Sequence, residues 1–157
     1  MSVKPLDLAF VSETIAADIA ARAGEPDWLL QDRLAAARLA ATLPAEANLL
    51  YTPYIDLRAA RFGEIAVYPS AGVAPDAEGD LPEGASAYLH VRENAVVERA
   101  MSPVAREAGL FLGTFEEALR TRPDVLRAVI DNGASLPADD AFAQVARAVA
   151  TLGLLIH

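Results

Sequence analysis

The sequence predicts an α+β fold: N-terminal helices, a small mixed or antiparallel sheet in the middle, then a strand, three helices and a final strand. Apolar residues recur at helical spacing over 12–44, and short strand-like runs separated by turn residues occupy 60–100. A strand followed by capped helices is indicated over 109–157. Hydrophobic residues make up 54% of the 157 residues, which is enough for a core, so we expect a single domain over 1–157.

The helical hairpin predicted over 12–44 has clear start and stop signals. Ser12 is placed to cap the first helix, and Gly24 follows its last turn. Pro26 opens the second helix where its missing N–H costs nothing, and that helix is predicted to end just before Pro44. The predicted core-facing residues are Ile15, Ile19 and Ala23 in the first helix and Trp28, Leu30, Leu34, Ala37 and Ala41 in the second.

The middle segment, 60–100, is predicted to be irregular and rich in strands. Glycine, proline and acidic residues over 69–86 predict a solvated, mobile loop. The predicted strands are 64–68, 88–91 and 95–97, with a turn at Glu93 and Asn94 between the last two.

The last segment, 109–157, is predicted to be a strand and three helices. Thr114 is placed to cap the first helix, Pro123 opens the second, and Asp139 or Asp140 caps the third. The predicted strands are 110–112 and 154–156, and the predicted buried face of the last helix is Phe142, Val145, Ala146 and Val149.

Charge and composition exclude several classes of function. A net charge of −9 without a basic stripe disfavours a nucleic-acid partner. Because the chain has no cysteine, disulfides, thiolate metal sites and cysteine nucleophiles are excluded. No apolar stretch approaches the roughly 18–20 residues that cross a bilayer. Since the first residues also lack the features of a signal peptide, we expect a cytoplasmic protein with no membrane partner.

Some side chains are candidates for chemistry, and each also has a structural interpretation. His90 is a candidate metal ligand or general base, but a strand residue without chemistry is favoured, as it is for His157. Asp139 and Asp140 are a candidate carboxylate pair for acid–base or Mg²⁺ work, yet adjacent carboxylates before an apolar helix are more often caps. The acidic loop over 76–83 lacks the spacing of a Ca²⁺ loop.

The remaining candidates are weaker. Ser86 and Ser102 lie in no nucleophile motif, and the glycines around 109–113 fit no phosphate loop. Trp28 is either a partner anchor or, as favoured, a core residue. Arg33 is expected to pair with an acidic group on another segment and lock its helix in place. We therefore predict no catalytic, metal or cofactor site on this chain.

Two stretches carry recognisable motifs. Residues 24–36 read GEPDWLLQDRLAA, and 51–57 hold a Tyr-Thr pair followed by Asp-Leu. Residues 109–119 read GLFLGTFEEAL, 122–126 read RPDVL, and a helix and strand follow over 139–156. In this order and spacing the motifs resemble the N-terminal region of the SufB/SufD family of iron–sulfur cluster assembly proteins. The departures are Leu49 where a tryptophan is usual, Ala141 for lysine, Ala146 for asparagine and Leu152 for glycine.

The resemblance implies a larger parent protein, SufD-like more than SufB-like. Family members continue into a right-handed parallel β-helix and a helical region that docks the SufC ATPase, and their cluster chemistry lies in that later part. On this resemblance the chain is a non-catalytic scaffold segment that reaches a SufC-type ATPase and a SufB/SufD partner through the full-length protein. Residues 154–157 then begin a truncated β-helix, with an unpaired edge suited to self-association.

Two other functions stay open. One is a free-standing α+β protein–protein interaction module, which recruits a partner through its acidic face or the Trp28 helix. The other is a small-molecule enzyme built on carboxylates and Tyr51 or Tyr54, which requires a pocket that nothing in the spacing indicates.

Overall fold

The computed structural model describes residues 7–43, 61–67, 77–132 and 136–157, and over these the fold is α+β, as expected. The described residues divide into two compact units, one drawn from 1–67 and 132–150, the other from 68–131 and 151–157. The expectation of a single domain stays a prediction. The elements are α1 (Glu13–Ala23), α2 (Asp27–Ala40), β1 (Ala77–Glu78), β2 (Ala87–Arg92), β3 (Ala95–Met101), α3 (Pro103–Glu107), β4 (Leu112–Thr114), α4 (Phe115–Thr121), α5 (Pro123–Asn132), α6 (Ala141–Val149) and β5 (Leu154–Ile156).

Local capping signals set the ends of the first two helices. The Ser12 hydroxyl accepts a hydrogen bond from the Ile15 N–H at 3.2 Å, which satisfies a free donor of the first turn of α1. Gly24 ends α1 with a left-handed backbone at φ 63°, where a side chain would be strained. The second helix follows Pro26 as predicted but ends at Ala40, earlier than expected.

The core of the first unit is built mainly from alanine. Small side chains let helices approach closely, and α1, α2 and α6 contact one another in this way. The buried cluster consists of Leu8, Val11, Ala16, Ala36, Ala37, Ala40 and Ala148.

This alanine packing changes the predicted face of α1. Ala16 and Ala20 are buried, whereas Ile15 and Ile19 are half-buried and Ala23 is exposed. The predicted face is therefore wrong by one residue, because the larger side chains flank a close helix contact instead of filling it.

The predicted face of α6 is wrong for the same reason, and that of α2 is confirmed only at Ala37, whereas Ala41 is exposed. Leu34, Val145 and Val149 are only half-buried and pack around the edge of the alanine cluster. Phe142 is exposed. The buried residues are Leu29, Arg33, Ala36, Ala37 and Ala40 in α2, and Ala141, Ala143, Gln144 and Ala148 in α6.

The second unit contains a mixed three-stranded sheet. β3 lies in the centre, with β2 antiparallel on one side and β1 parallel on the other. The predicted turn between β2 and β3 is confirmed, with Glu93 in the left-handed region at φ 56°. β3 continues to Met101, well beyond the predicted end at Val97.

Two predictions for the middle of the chain are wrong. Over 64–68 a strand was expected, but Phe62–Glu64 forms a 3-10 turn and the described residues after it are not a strand. Ala77–Glu78 was assigned to the loop and instead pairs with β3, a two-residue strand too short to leave a periodic signal. The rest of the predicted loop before it, 69–76, lies outside the described residues.

Two elements after the sheet differ from the sequence prediction. No helix was expected at α3, although the Ser102 hydroxyl caps it by accepting from the Ala105 N–H at 3.1 Å and Pro103 opens it. β4 begins two residues after the predicted 110–112, because its pairing partner sets its position.

Candidate functional site

The C-terminal strand β5 pairs antiparallel with β4. Leu112, Gly113 and Thr114 lie opposite Ile156, Leu155 and Leu154, respectively. Phe111 and His157 extend the ladder: the Phe111 N–H donates to the His157 carbonyl at 2.7 Å, and the His157 N–H donates back at 3.0 Å. One edge of β5 is thus paired. Over the described ranges the sheet has two strands, so the other edge carries no strand.

The two faces of β5 differ sharply in exposure. Leu155 is 5% exposed, whereas Leu154 is 40% and Ile156 is 70% exposed. Apolar side chains alternate between a covered and an uncovered face, and no charged residue interrupts the strand. We call the open strand edge with Leu154 and Ile156 the β5 surface; such an edge is a ready template for another strand.

A glycine and an aromatic ring fix how the chain enters β5. The Phe115 ring lies against Gly153, so that a Cβ at this position would overlap the ring. The Phe115 N–H also donates to the Gly153 carbonyl at 2.8 Å. Only glycine allows both contacts, which anchors β5 to the start of α4.

Arg33 is the most enclosed charged group in the first unit. Its Nε and Nη2 each lie 2.6 Å from a Glu25 carboxylate oxygen, and both side chains are almost fully buried. Its Nη1 donates to the Ala148 carbonyl at 3.2 Å and to the Arg147 carbonyl at 3.5 Å, at the end of α6. The predicted pairing of Arg33 with an acidic group is confirmed, but Glu25 lies in the turn just before the same helix and not on another segment. The same guanidinium caps the C-terminus of α6.

A second polar chain lies beside this pair. Asp32 is half-buried and pairs with Arg147. Arg147 also donates from Nη1 to Gln144 Oε1 at 3.0 Å. Gln144 is fully buried and donates from Nε2 to the Pro137 carbonyl at 2.7 Å. Asp32 and Arg33, which are adjacent in α2, thus contact the last turn of α6 separately: Asp32 through the Arg147 side chain and Arg33 through backbone carbonyls.

We expect Arg33→Met to destabilise the protein strongly. It leaves the Glu25 carboxylate buried without its cation, and breaking a buried pair typically costs about 3–5 kcal/mol. Arg38→Met is the matched control on the same helix, because Arg38 pairs with Glu13 at the surface. Urea unfolding followed by circular dichroism should show a large decrease in the free energy of unfolding for Arg33→Met and a value near the wild type for Arg38→Met. Equal midpoints for the two would contradict the role given to Arg33.

In the second unit, Arg99 and Glu117 tie β3 to the start of α4. Arg99 donates from Nη2 to Glu117 Oε1 at 2.6 Å and from Nη1 to the Leu112 carbonyl at 3.3 Å. Thr114 caps α4 as predicted: its hydroxyl accepts from the Glu117 N–H, and its own N–H donates to the Glu117 carboxylate at 2.8 Å. Partial burial raises the pKa of Glu117, but the hydrogen bonds from Arg99 and Thr114 outweigh it and lower the pKa below its usual value.

This shift makes the second unit sensitive to acid. Because the folded-state pKa of Glu117 is lowered, its carboxylate stabilises the fold above the unfolded value of about 4.3, and that contribution is lost as the pH falls through the folded pKa. We expect Glu117→Gln to be less stable near pH 7 and to lose less further stability on acidification. Melting temperatures from pH 7 to pH 3 test this. The control is Glu116→Gln, which removes an exposed pair with Arg120; if all three proteins gave parallel curves, the assignment would be wrong.

The structure places both candidate histidines, His90 and His157. His90 lies on β2 with its Nδ1 3.8 Å from Glu98 Oε2, both partly exposed. Across 7–43, 61–67, 77–132 and 136–157, no three histidine or carboxylate side chains converge where they could hold a metal ion. His157 exchanges two backbone hydrogen bonds with Phe111, the residue before β4.

The other candidate residues are engaged in structure or lie outside the described part. The Ser86 carbonyl accepts from the Ser102 N–H at 2.9 Å, and Trp28 is half-buried. Tyr51 and Tyr54, proposed for an enzyme, are not among the described residues, and neither is the start of the acidic loop.

The two adjacent carboxylates before α6 have different roles. Asp140 Oδ1 accepts from the Phe142 N–H at 2.7 Å and from the Ala143 N–H at 2.9 Å, which is the contact of a helix cap. Asp139 is exposed. The sequence alone leaves the choice between them open, and the structure assigns the cap to Asp140.

We expect Asp140→Ala to cost about 1 kcal/mol of stability, the usual loss for removing a side-chain cap. Asp139→Ala removes the same charge one residue earlier and should leave the free energy of unfolding close to the wild-type value. Chemical denaturation of both variants measures the difference. A larger loss of unfolding free energy for Asp139→Ala than for Asp140→Ala would show that the two carboxylates are needed for something other than capping.

Comparisons with known proteins return nothing: no protein-family model, no curated protein and no solved structure matches the chain. In the part of the chain that the structure describes, the helices lack the combination of length and apolarity needed to cross a membrane.

Proposed function

We propose that this chain is the N-terminal part of a SufD/SufB-like scaffold subunit in iron–sulfur cluster assembly. The observation that carries the proposal is the ordered likeness of 12–57 and 109–156 to that family. The element order is compatible with it: a helix holding Trp28 and Arg33, then later a strand, helices and a last strand. The proposed role is non-catalytic and cytoplasmic, contributing stability and docking surface.

The pattern of β5 supports a continuation of the fold beyond it. A strand that is covered on both faces has a continuous apolar sequence, as in parallel sheets. Gly153 is followed by Leu154, Leu155 and Ile156, which is such a run, yet only the Leu155 face is well covered. In the proposed parent protein, the next strands of a β-helix pair with the β5 surface, and a SufC-type ATPase and a SufB/SufD partner bind through the full-length protein.

Co-purification tests this proposal. We expect the reading frame after the codon for His157 to encode a β-rich, glycine-spaced region, and the longer protein to retain a SufC-type ATPase on an affinity column. Residues 1–157 alone should not retain it, because the docking region lies later in the chain. A reading frame without a β-rich region contradicts the assignment, whereas retention by 1–157 alone contradicts only the position of the docking surface.

The alternative function is a free-standing protein–protein interaction module. It is favoured by one observation: β5 is already paired with β4, and Leu155 is buried, so that this strand belongs to the second unit without any further partner. This alternative predicts that the chain is functional as it stands and monodisperse in solution.

Self-association through the β5 surface distinguishes the two functions further. If β5 is normally covered by a following strand, residues 1–157 alone should form concentration-dependent oligomers, and Ile156→Lys should shift them towards monomer by placing a charge on the edge strand. Val104→Lys is the control, because Val104 is 75% exposed but lies on α3. Light scattering after size-exclusion chromatography measures the mass; a wild-type monomer at every concentration would count against self-association and favour the module.

A further inference from the structure

We draw no further inference here: the strongest candidate outside the β5 surface, the exposed ring of Phe142 on α6 beside Phe62, carries nothing because no feature of the described residues shows what covers it.

Discussion

The first unit depends on a guanidinium group that is buried between a carboxylate and the end of a helix. Removing a charge from water is costly, so Arg33 is tolerated only because Glu25 neutralises it and the carbonyls of the last turn of α6 accept its remaining hydrogen bond. Alanine packing buries little area per side chain and defines the position of one helix along another only weakly. The directional contacts of Arg33 supply that definition, since they are satisfied at one position of α6.

The second unit uses the same principle with partly exposed groups. Arg99 reaches both the Glu117 side chain and the Leu112 carbonyl, so that one cation connects β3, the start of β4 and the cap of α4. Groups that would be candidates for chemistry in a sequence, such as Ser102 and Asp140, are engaged as helix caps. Among the described residues, the exposed apolar side chains include Leu154 and Ile156 of β5.

Most local signals were predictable from the sequence, although the equally local Ser102 cap of α3 was missed, and most tertiary contacts were not predictable. The caps at Ser12 and Thr114 were predicted because a capping side chain and the amide it binds are three residues apart. Apart from Ala37, the predicted helix faces were wrong because large apolar residues were expected inward, whereas close helix packing places alanine there. For Arg33 the sequence indicated an acidic partner but not which one, and its bonds to carbonyls 114 and 115 residues away leave no local trace. The strand that carries the β5 surface was predicted from the sequence, but its pairing with β4 was not.

The two proposed functions differ in what covers the apolar face of β5. A strand that ends a self-contained sheet normally places polar residues on its open face, and charges or proline protect its edge from other strands. β5 has neither: Leu154 and Ile156 occupy the open face, and the strand contains no charge. Uncovered apolar area is unfavourable in water, so the pattern is better explained by a strand that another strand or layer covers. If another strand or layer covers β5, the proposed scaffold supplies it from its own later β-helix, whereas a free-standing module would need a partner protein to supply it.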